Sequence, residues 1–83
     1  MLDQLVEAVQ VIRTEYEDVL DRDTLVKDLE LVPRVQVALH RGGFRTLGDI
    51  FDRAEDLDKV RNFGTVSLSQ LMQSLAREVD KIS

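Results

Sequence analysis

The sequence contains no cysteine and only one histidine, His40, among its 83 residues. A chain without cysteine cannot form a disulfide bond, and one histidine cannot supply the ligand set of a structural zinc site. The length fits a single small domain near the lower limit of self-sufficient folding. Its core must therefore come from close packing of its own elements, or from a partner chain.

Long apolar runs are missing as well. No uninterrupted apolar segment approaches the roughly 20 residues that a membrane-spanning helix needs. Met1 is followed by the acidic Asp3 and Glu7 and not by the basic and then apolar regions of a secretory signal. The lack of cysteine is compatible with a reducing compartment. We therefore expect a cytoplasmic protein.

Groups suited to catalysis are scarce. His40 has no cysteine, no nearby pair of carboxylates and no Gly-x-Ser-x-Gly motif with which to form an activated nucleophile. The acidic residues have the spacing of a solvated surface and not of a convergent pocket. We predict a protein that is not an enzyme, with no catalytic residue, no metal site and no cofactor.

The formal net charge of −5 is unevenly distributed. Residues 1–32 contain nine acidic and three basic side chains, a net charge of −6, whereas residues 33–83 contain seven acidic and eight basic side chains, a net charge of +1. Binding to a phosphate backbone depends on clustered Lys and Arg. The overall charge therefore argues against a general nucleic-acid binder, and the two parts have different electrostatic roles.

Apolar side chains in the first segment recur at steps of three and four. This spacing predicts an amphipathic helix over residues 2–20. Its apolar face either covers the rest of the domain or pairs two copies, a possible homodimer through residues 2–20. We expect an acidic N-terminal helix in residues 1–22 and a helical domain in residues 23–83. The residues that form the stripe are Leu2, Leu5, Val9, Ile12, Tyr16 and Val19.

Further along the sequence, the helix boundaries are set by individual residues. A break at residues 21–23 precedes a short turn around Leu25 and Val26, with Asp23 or Thr24 as its cap. Pro33 suits the first turn of a helix, which should end at Gly42-Gly43 with one glycine in the left-handed conformation.

Three more helical segments complete the protein. Thr46 is the expected cap of a helix from Leu47 to about Arg53, and a second short helix covers about residues 55–60. A tight turn at residues 62–65 precedes the last helix. No segment alternates with period two, so we predict an all-α fold.

Residues 57–75 combine a short helix, an Asn-apolar-Gly hairpin and a long helix. Glycine lets the backbone turn tightly, and the free N–H groups from Gly64 to Ser67 then point outwards, where they can hold a phosphate. This arrangement resembles one helix-hairpin-helix unit, which binds nucleic acid without sequence specificity. Closure of an ordinary helix junction explains the glycine equally well.

Additional motifs extend this pattern: Asp-Leu-Glu-Leu at residues 28–31, Arg34 at the start of a helix, Leu-Gly-Asp-Ile at residues 47–50, and the Asn-Phe-Gly hairpin before a Ser-Leu helix. Over about residues 25–79 the sequence resembles the C-terminal domain of the bacterial RNA polymerase alpha subunit, with about one residue fewer between Asp49 and Asn62. The resemblance implies a compact domain of four to five helices, here preceded by an extra N-terminal amphipathic helix. Such a domain touches the DNA minor groove and is a docking surface for transcription factors and sigma.

The resemblance also implies roles for individual residues. Arg34 falls on the principal minor-groove arginine, and Gly64 and Ser67 fall on hairpin positions that approach phosphates. Val37 replaces an asparagine of the groove-binding surface and Val66 replaces a lysine, which removes one charge-assisted phosphate contact and suits a protein partner. The predicted DNA-binding residues are Arg34, Asn62, Gly64, Thr65 and Ser67.

The remaining predicted site residues are contacts with a partner protein. Asp28 and Glu30 correspond to the acidic patch that meets sigma in the family, although Lys27 interrupts it, and an ordinary solvated charge run explains them as well. With Val37 and Val66 they are the predicted protein contacts. Three more bases, Arg41, Arg45 and Arg61, either extend the basic side near Arg34 or serve solubility.

Three functions follow from these patterns. The first is a non-enzymatic, transcription-associated interaction module that binds protein partners, either the transcription machinery or itself, with weak or no DNA contact. The second is a minor-groove DNA-binding domain that uses Arg34 and the Gly64 hairpin. The third is a structural adaptor outside transcription, because a fold alone does not determine function. The protein is expected to be either a stand-alone relative or a segment of a longer protein.

Overall fold

The computed structural model of the protein describes residues 2–60 and 63–82, with side chains from residue 6 onward. Helices dominate these residues, and the only extended pairing among them is a single antiparallel bridge between Leu25 and Thr46. The predicted all-α fold is therefore confirmed. The elements are α1 (Leu2–Val11) with a π-helical turn (Ile12–Tyr16), a 3-10 turn (Val26–Asp28), α2 (Pro33–Arg41), α3 (Leu47–Asp52), a 3-10 helix (Ala54–Lys59) and α4 (Thr65–Ile82).

The first helix is shorter than the predicted residues 2–20. Its α-helical part ends at Val11 and the backbone then forms a wider π turn, in which the amide of Glu17 donates to the carbonyl of Ile12 at 3.0 Å. Across this junction, the hydroxyl of Thr14 donates to the carbonyl of Gln10 at 2.7 Å. A threonine that bonds back to the preceding turn in this way commonly bends a helix. The apolar spacing of residues 2–20 does not predict this π turn.

Helix α2 begins and ends as predicted. Pro33 occupies its first turn, where the missing N–H costs no hydrogen bond. Gly43 has a φ of 85°, and the amide of Phe44 donates to the carbonyl of Leu39 at 2.9 Å, which closes the helix.

Helix α3 has the predicted cap. The Thr46 hydroxyl accepts from the amide of Asp49 at 3.2 Å, and the Asp49 carboxylate accepts from the amide of Thr46 at 3.2 Å. The prediction that Asp23 or Thr24 caps the turn at Val26–Asp28 is wrong, because the residue before that turn is Leu25 and no side chain caps it.

That turn is held by tertiary contacts instead. The amide of Val26 donates to the carbonyl of Arg45 at 2.8 Å, which links the turn to the loop before α3. From α2, the side-chain amide of Gln36 donates to the carbonyls of Val26 and Leu29, both at 3.1 Å. These bonds fix where the backbone enters α2, because Leu29 lies four residues before Pro33.

The hydrophobic core joins the π turn, α2, α3, α4 and both 3-10 segments. Ile12, at the start of the π turn, is completely buried in the same cluster as Leu39, Phe51 and Leu71. Beside it, Arg13 forms an ion pair with Glu55 at 2.8 Å. The apolar face of the first helix thus covers the rest of the domain, at least through the side chains of residues 8–20. In the part of the protein with coordinates, no helix is long and apolar enough to cross a membrane.

Candidate macromolecular interface

An open cavity of about 360 Å³ lies where the first turns of α2 and α4 meet. Pro33 sets the start of α2 and so places Arg34 in its first turn, while α4 begins at Thr65 and places Val66 and Ser67 in its first turn. The lining contains a basic group, a hydroxyl and apolar surface, but no carboxylate. We call this site the α2–α4 cavity, and its lining residues are Val32, Pro33, Arg34, Val66, Ser67 and Gln70.

Three polar groups of the α2–α4 cavity lack partners among the residues that the structure describes. Arg34 is exposed and forms no ion pair with any side chain that the structure describes. Ser67 is 6% exposed, yet its hydroxyl forms no hydrogen bond within the same set of residues. The buried Oε1 of Gln70 also lacks a donor. The guanidinium of Arg34 and the hydroxyl of Ser67 therefore have unused hydrogen-bonding capacity at the cavity.

The start of α4 adds backbone donors to the cavity. The amide of Leu68 makes the first bond of the helix, to the carbonyl of Gly64 at 2.9 Å. The amides of Thr65, Val66 and Ser67 precede it and have no carbonyl one turn earlier within the helix. Together with the helix dipole they present partial positive charge. Anionic groups are therefore favoured at this end of α4.

Gly64 has a different role from the one expected. Its φ is not positive, and a Cβ added at this position would meet no atom within 4 Å. The expectation that glycine is needed here for a tight backbone turn is therefore wrong, because any small residue fits. The missing side chain instead leaves the start of α4 open to approach from outside.

Apolar side chains lie next to these polar groups. Val66 is 68% exposed and Val32 is 45% exposed, and both line the α2–α4 cavity. Val37, on α2, is 49% exposed but is not part of the lining. A surface that combines an unpaired arginine with exposed valines differs from the hydrophilic surface that a phosphate backbone requires.

The two predicted acidic contacts are both exposed, but they have different surroundings. The Glu30 carboxylate lies 3.9 Å from Nε of Arg77 and 3.6 Å from Nζ of Lys81 on α4. The pKa of Lys81 is raised, first by its hydrogen bond with Glu78 and then by the charge of Glu30. Asp28 has no ion pair among the described side chains. The acidic pair is therefore partly neutralised by α4.

The structure brings together only some of the predicted DNA-binding residues. Arg34 and Ser67 share the α2–α4 cavity, while Gly64 and Thr65 are exposed at the adjoining start of α4 without lining it. Asn62 lies outside the described residues. Sequence reasoning missed two lining residues, Val32 and Gln70. Gln70 could have been found, because it lies three residues after Ser67 and so on the same face of α4.

The residues that the structure describes contain no cluster suited to binding a metal ion. Across residues 6–60 and 63–82, no group of three or more His, Asp or Glu side chains could hold a metal ion. His40 is exposed near the end of α2. It lines a separate surface pocket with Lys27, Gln36 and Arg45. None of these three residues has a carboxylate that could orient the imidazole as a general base.

Comparison with known proteins identifies the family. The family of the C-terminal domain of the bacterial RNA polymerase alpha chain matches residues 14–77, which is most of the sequence. The protein belongs to this family. The match begins inside the π turn, about eleven residues before the start expected from the motifs, so the alpha C-terminal domain match includes part of the N-terminal helix.

Curated relatives agree with the alpha C-terminal domain assignment. The protein is 36% identical over 61 residues to the DNA-directed RNA polymerase subunit alpha of Oenococcus oeni, covering 72% of this sequence and 19% of that protein. It is 37% identical over 70 residues to the subunit of the same name from Pseudothermotoga lettingae, covering 83% of this sequence and 21% of that protein. The sequence thus spans about a fifth of these relatives. No solved structure is significantly similar to it.

Membership assigns a transcription-related domain. In this alpha C-terminal domain, Arg34 and Ser67 keep the residue types that the resemblance associates with DNA, whereas Val37 and Val66 do not.

Proposed function

We propose that this protein is a non-enzymatic interaction module of the transcription machinery, in the cytoplasm, that binds a protein partner and has weak or no contact with DNA. In this proposal an acidic N-terminal segment, residues 1–22, precedes a helical domain of residues 23–83. The proposal assigns the transcription-related role of the family to a surface that is less polar than the resemblance implies, because Val37 and Val66 replace polar residues. A homodimer through residues 2–20 is a further arrangement that the same proposal allows.

One observation carries the proposal: Val66 is 68% exposed next to Arg34 and Ser67. The resemblance places a lysine at this position, and a lysine there would pair with a phosphate. A valine gives a phosphate no charge-assisted hydrogen bond, each of which is worth about 1.5–3 kcal/mol. It does give a partner protein apolar area to bury.

Minor-groove DNA binding is the second candidate, and a specific observation favours it. The α2–α4 cavity is lined by Arg34, which has no ion pair among the described side chains, and by the first turn of α4, and none of its lining residues has a carboxylate. Its predicted contacts are Arg34, Asn62, Gly64, Thr65 and Ser67. This candidate requires the remaining contacts to compensate for the two valines.

Two measurements on the same purified protein separate the candidates. A mobility-shift titration with an A·T-rich duplex at about 50 mM salt is expected to show no stable complex, whereas the intact protein should recover a specific complex with purified polymerase components. A DNA complex that weakens with added salt and is lost in Arg34→Ala would instead establish the second candidate. A protein that binds neither duplex nor polymerase component would contradict both.

A further inference from the structure

The basic side chains of this acidic protein are divided into two groups. Within the described residues, one group is engaged in ion pairs: Arg13, Arg22, Arg53, Lys59, Arg77 and Lys81. The other group has no such pair and lies entirely between residues 27 and 45: Lys27, Arg34, Arg41 and Arg45. Helix α2 itself contains no acidic residue. Unneutralised positive charge is thus concentrated around α2.

Of these four bases, Arg34 lines a cavity together with the hydroxyl of Ser67. Ser67 is more than nine-tenths buried and has no hydrogen-bond partner among the described residues. It belongs to the first turn of α4, an 18-residue helix whose leading amides have no carbonyl one turn earlier within the helix. The guanidinium, the hydroxyl and the helix end together form a site for one anionic group.

The surroundings of this site distinguish a carboxylate from a phosphate. Val66 and Val32 border the same cavity with 68% and 45% of their surface exposed. Contact with an aliphatic or aromatic side chain buries this apolar area and is favourable, whereas a hydrated phosphate gains nothing from it.

We propose that the α2–α4 cavity binds an acidic and apolar segment of a partner protein. One Asp or Glu carboxylate of that segment sits between Arg34, Ser67 and the first amides of α4, and an adjacent aliphatic or aromatic side chain packs on Val32 and Val66. This inference rests on the proposed function, since it names the chemistry of the protein partner. The unpaired Arg34 in a cavity without carboxylates provides the charge complementarity.

The test uses the full-length protein and a labelled 12-residue peptide in which Asp and Leu alternate. Fluorescence anisotropy is expected to show binding that weakens with salt. Peptides in which Asn replaces Asp, or Ser replaces Leu, should bind at least about tenfold more weakly, because each lacks one of the two contacts. In the nitrogen-labelled protein, the largest amide shift changes should map to residues 64–70 and the start of α2.

Matched variants separate the site from general electrostatics. Arg34→Gln should weaken the Asp-Leu peptide at least about tenfold, while Arg41→Gln, an exposed and unpaired base on the same helix, should change affinity less than about twofold. Val66→Ser should weaken binding of the Asp-Leu peptide about fivefold. Val19 is 48% exposed in the acidic N-terminal part of the sequence, and Val19→Ser should leave the affinity unchanged. Circular dichroism confirms that each variant is folded.

Several outcomes would overturn the inference. Equal losses in Arg34→Gln and Arg41→Gln, or shift changes away from the cavity, contradict it. If Arg34→Gln leaves a polymerase complex intact, the inference fails while the proposed function stands. An A·T-rich duplex that binds at the cavity more tightly than the peptide, with no protein complex formed, contradicts both.

Discussion

Gly42 and Gly64 lack a side chain for different physical reasons. A Cβ on Gly42 would come within 2.9 Å of Cγ2 of Val60 and 3.1 Å of the Phe44 ring, whereas a Cβ on Gly64 would meet nothing within 4 Å. We expect Gly42→Ser to lower the free energy of unfolding by about 1–3 kcal/mol through overpacking. Gly64→Ser should change it by less than about 0.5 kcal/mol, since serine is also favourable before a helix. Urea denaturation of the matched pair measures both, and equal losses would contradict the open position of Gly64.

Asp49 makes a charge-dependent contribution to stability at the start of α3. The pKa of its carboxyl is lowered from the ordinary value of 3.8, first by the hydrogen bond from the amide of Arg45 at 3.0 Å. Because the folded pKa is the lower one, the contribution is full above the unfolded pKa and is lost as pH falls through the folded value.

The variant Asp49→Asn tests this pH dependence. At pH 7 it should unfold about 1 kcal/mol more easily than the parent, and the difference should disappear as the pH falls below about 3.8. Urea denaturation at a series of pH values measures the difference. Asp58→Asn is the control, because Asp58 is exposed and has no ion pair among the described side chains. A difference that stays constant on acidification would show that the cap does not need the charge.

At the scale of elements, Ile12 anchors the first helix in the common core. Ile12 is completely buried in the common core, while Val19 is 48% exposed. We expect Ile12→Ala to lower the free energy of unfolding by about 2–5 kcal/mol, and Val19→Ala by less than about 0.5 kcal/mol. Chemical denaturation followed by circular dichroism measures both. Similar small effects would mean that this helix is dispensable for the domain.

Element boundaries were predictable from sequence where a local backbone rule sets them. Pro33, Gly43 and Thr46 each act within a few residues of their own position, and all three boundaries are confirmed. The cap expected at Asp23 or Thr24 failed because the turn that follows is held by α2 and by the loop before α3. Contacts between distant segments have no local signature.

The candidate site was predictable only in part. The proximity of Arg34 and Ser67 came from the family resemblance, since 32 intervening residues decide whether they meet. The Glu30–Arg77 pair was missed for the same reason. Val32 was missed because exposed valines have no characteristic spacing. From the sequence, Gly64 was attributed to a tight backbone turn. Only the structure shows that its φ is not positive and that the space beside it is open.

At the scale of the whole molecule, the charges close to the α2–α4 cavity affect binding of an anionic ligand more than the net charge does. The principal dimensions are 32 × 25 × 19 Å, whereas the Debye length at physiological ionic strength is about 8 Å. Acidic residues that lie farther from the cavity than this length are therefore largely screened from a ligand bound there. The net charge of −5 does not by itself prevent anion binding at the α2–α4 cavity.

This screening makes a charge placed at the cavity far more effective than the same charge placed elsewhere. Val66→Lys and Val19→Lys both change the net charge from −5 to −4 at an exposed valine. We expect Val66→Lys to increase affinity for an A·T-rich duplex about tenfold, with a salt dependence steeper by about one phosphate contact, because its ammonium joins Arg34 and the first amides of α4. Val19→Lys should leave duplex binding nearly unchanged. Mobility-shift titrations between about 50 and 200 mM salt measure both variants, and equal gains would show that net charge, and not the geometry of the cavity, limits DNA contact.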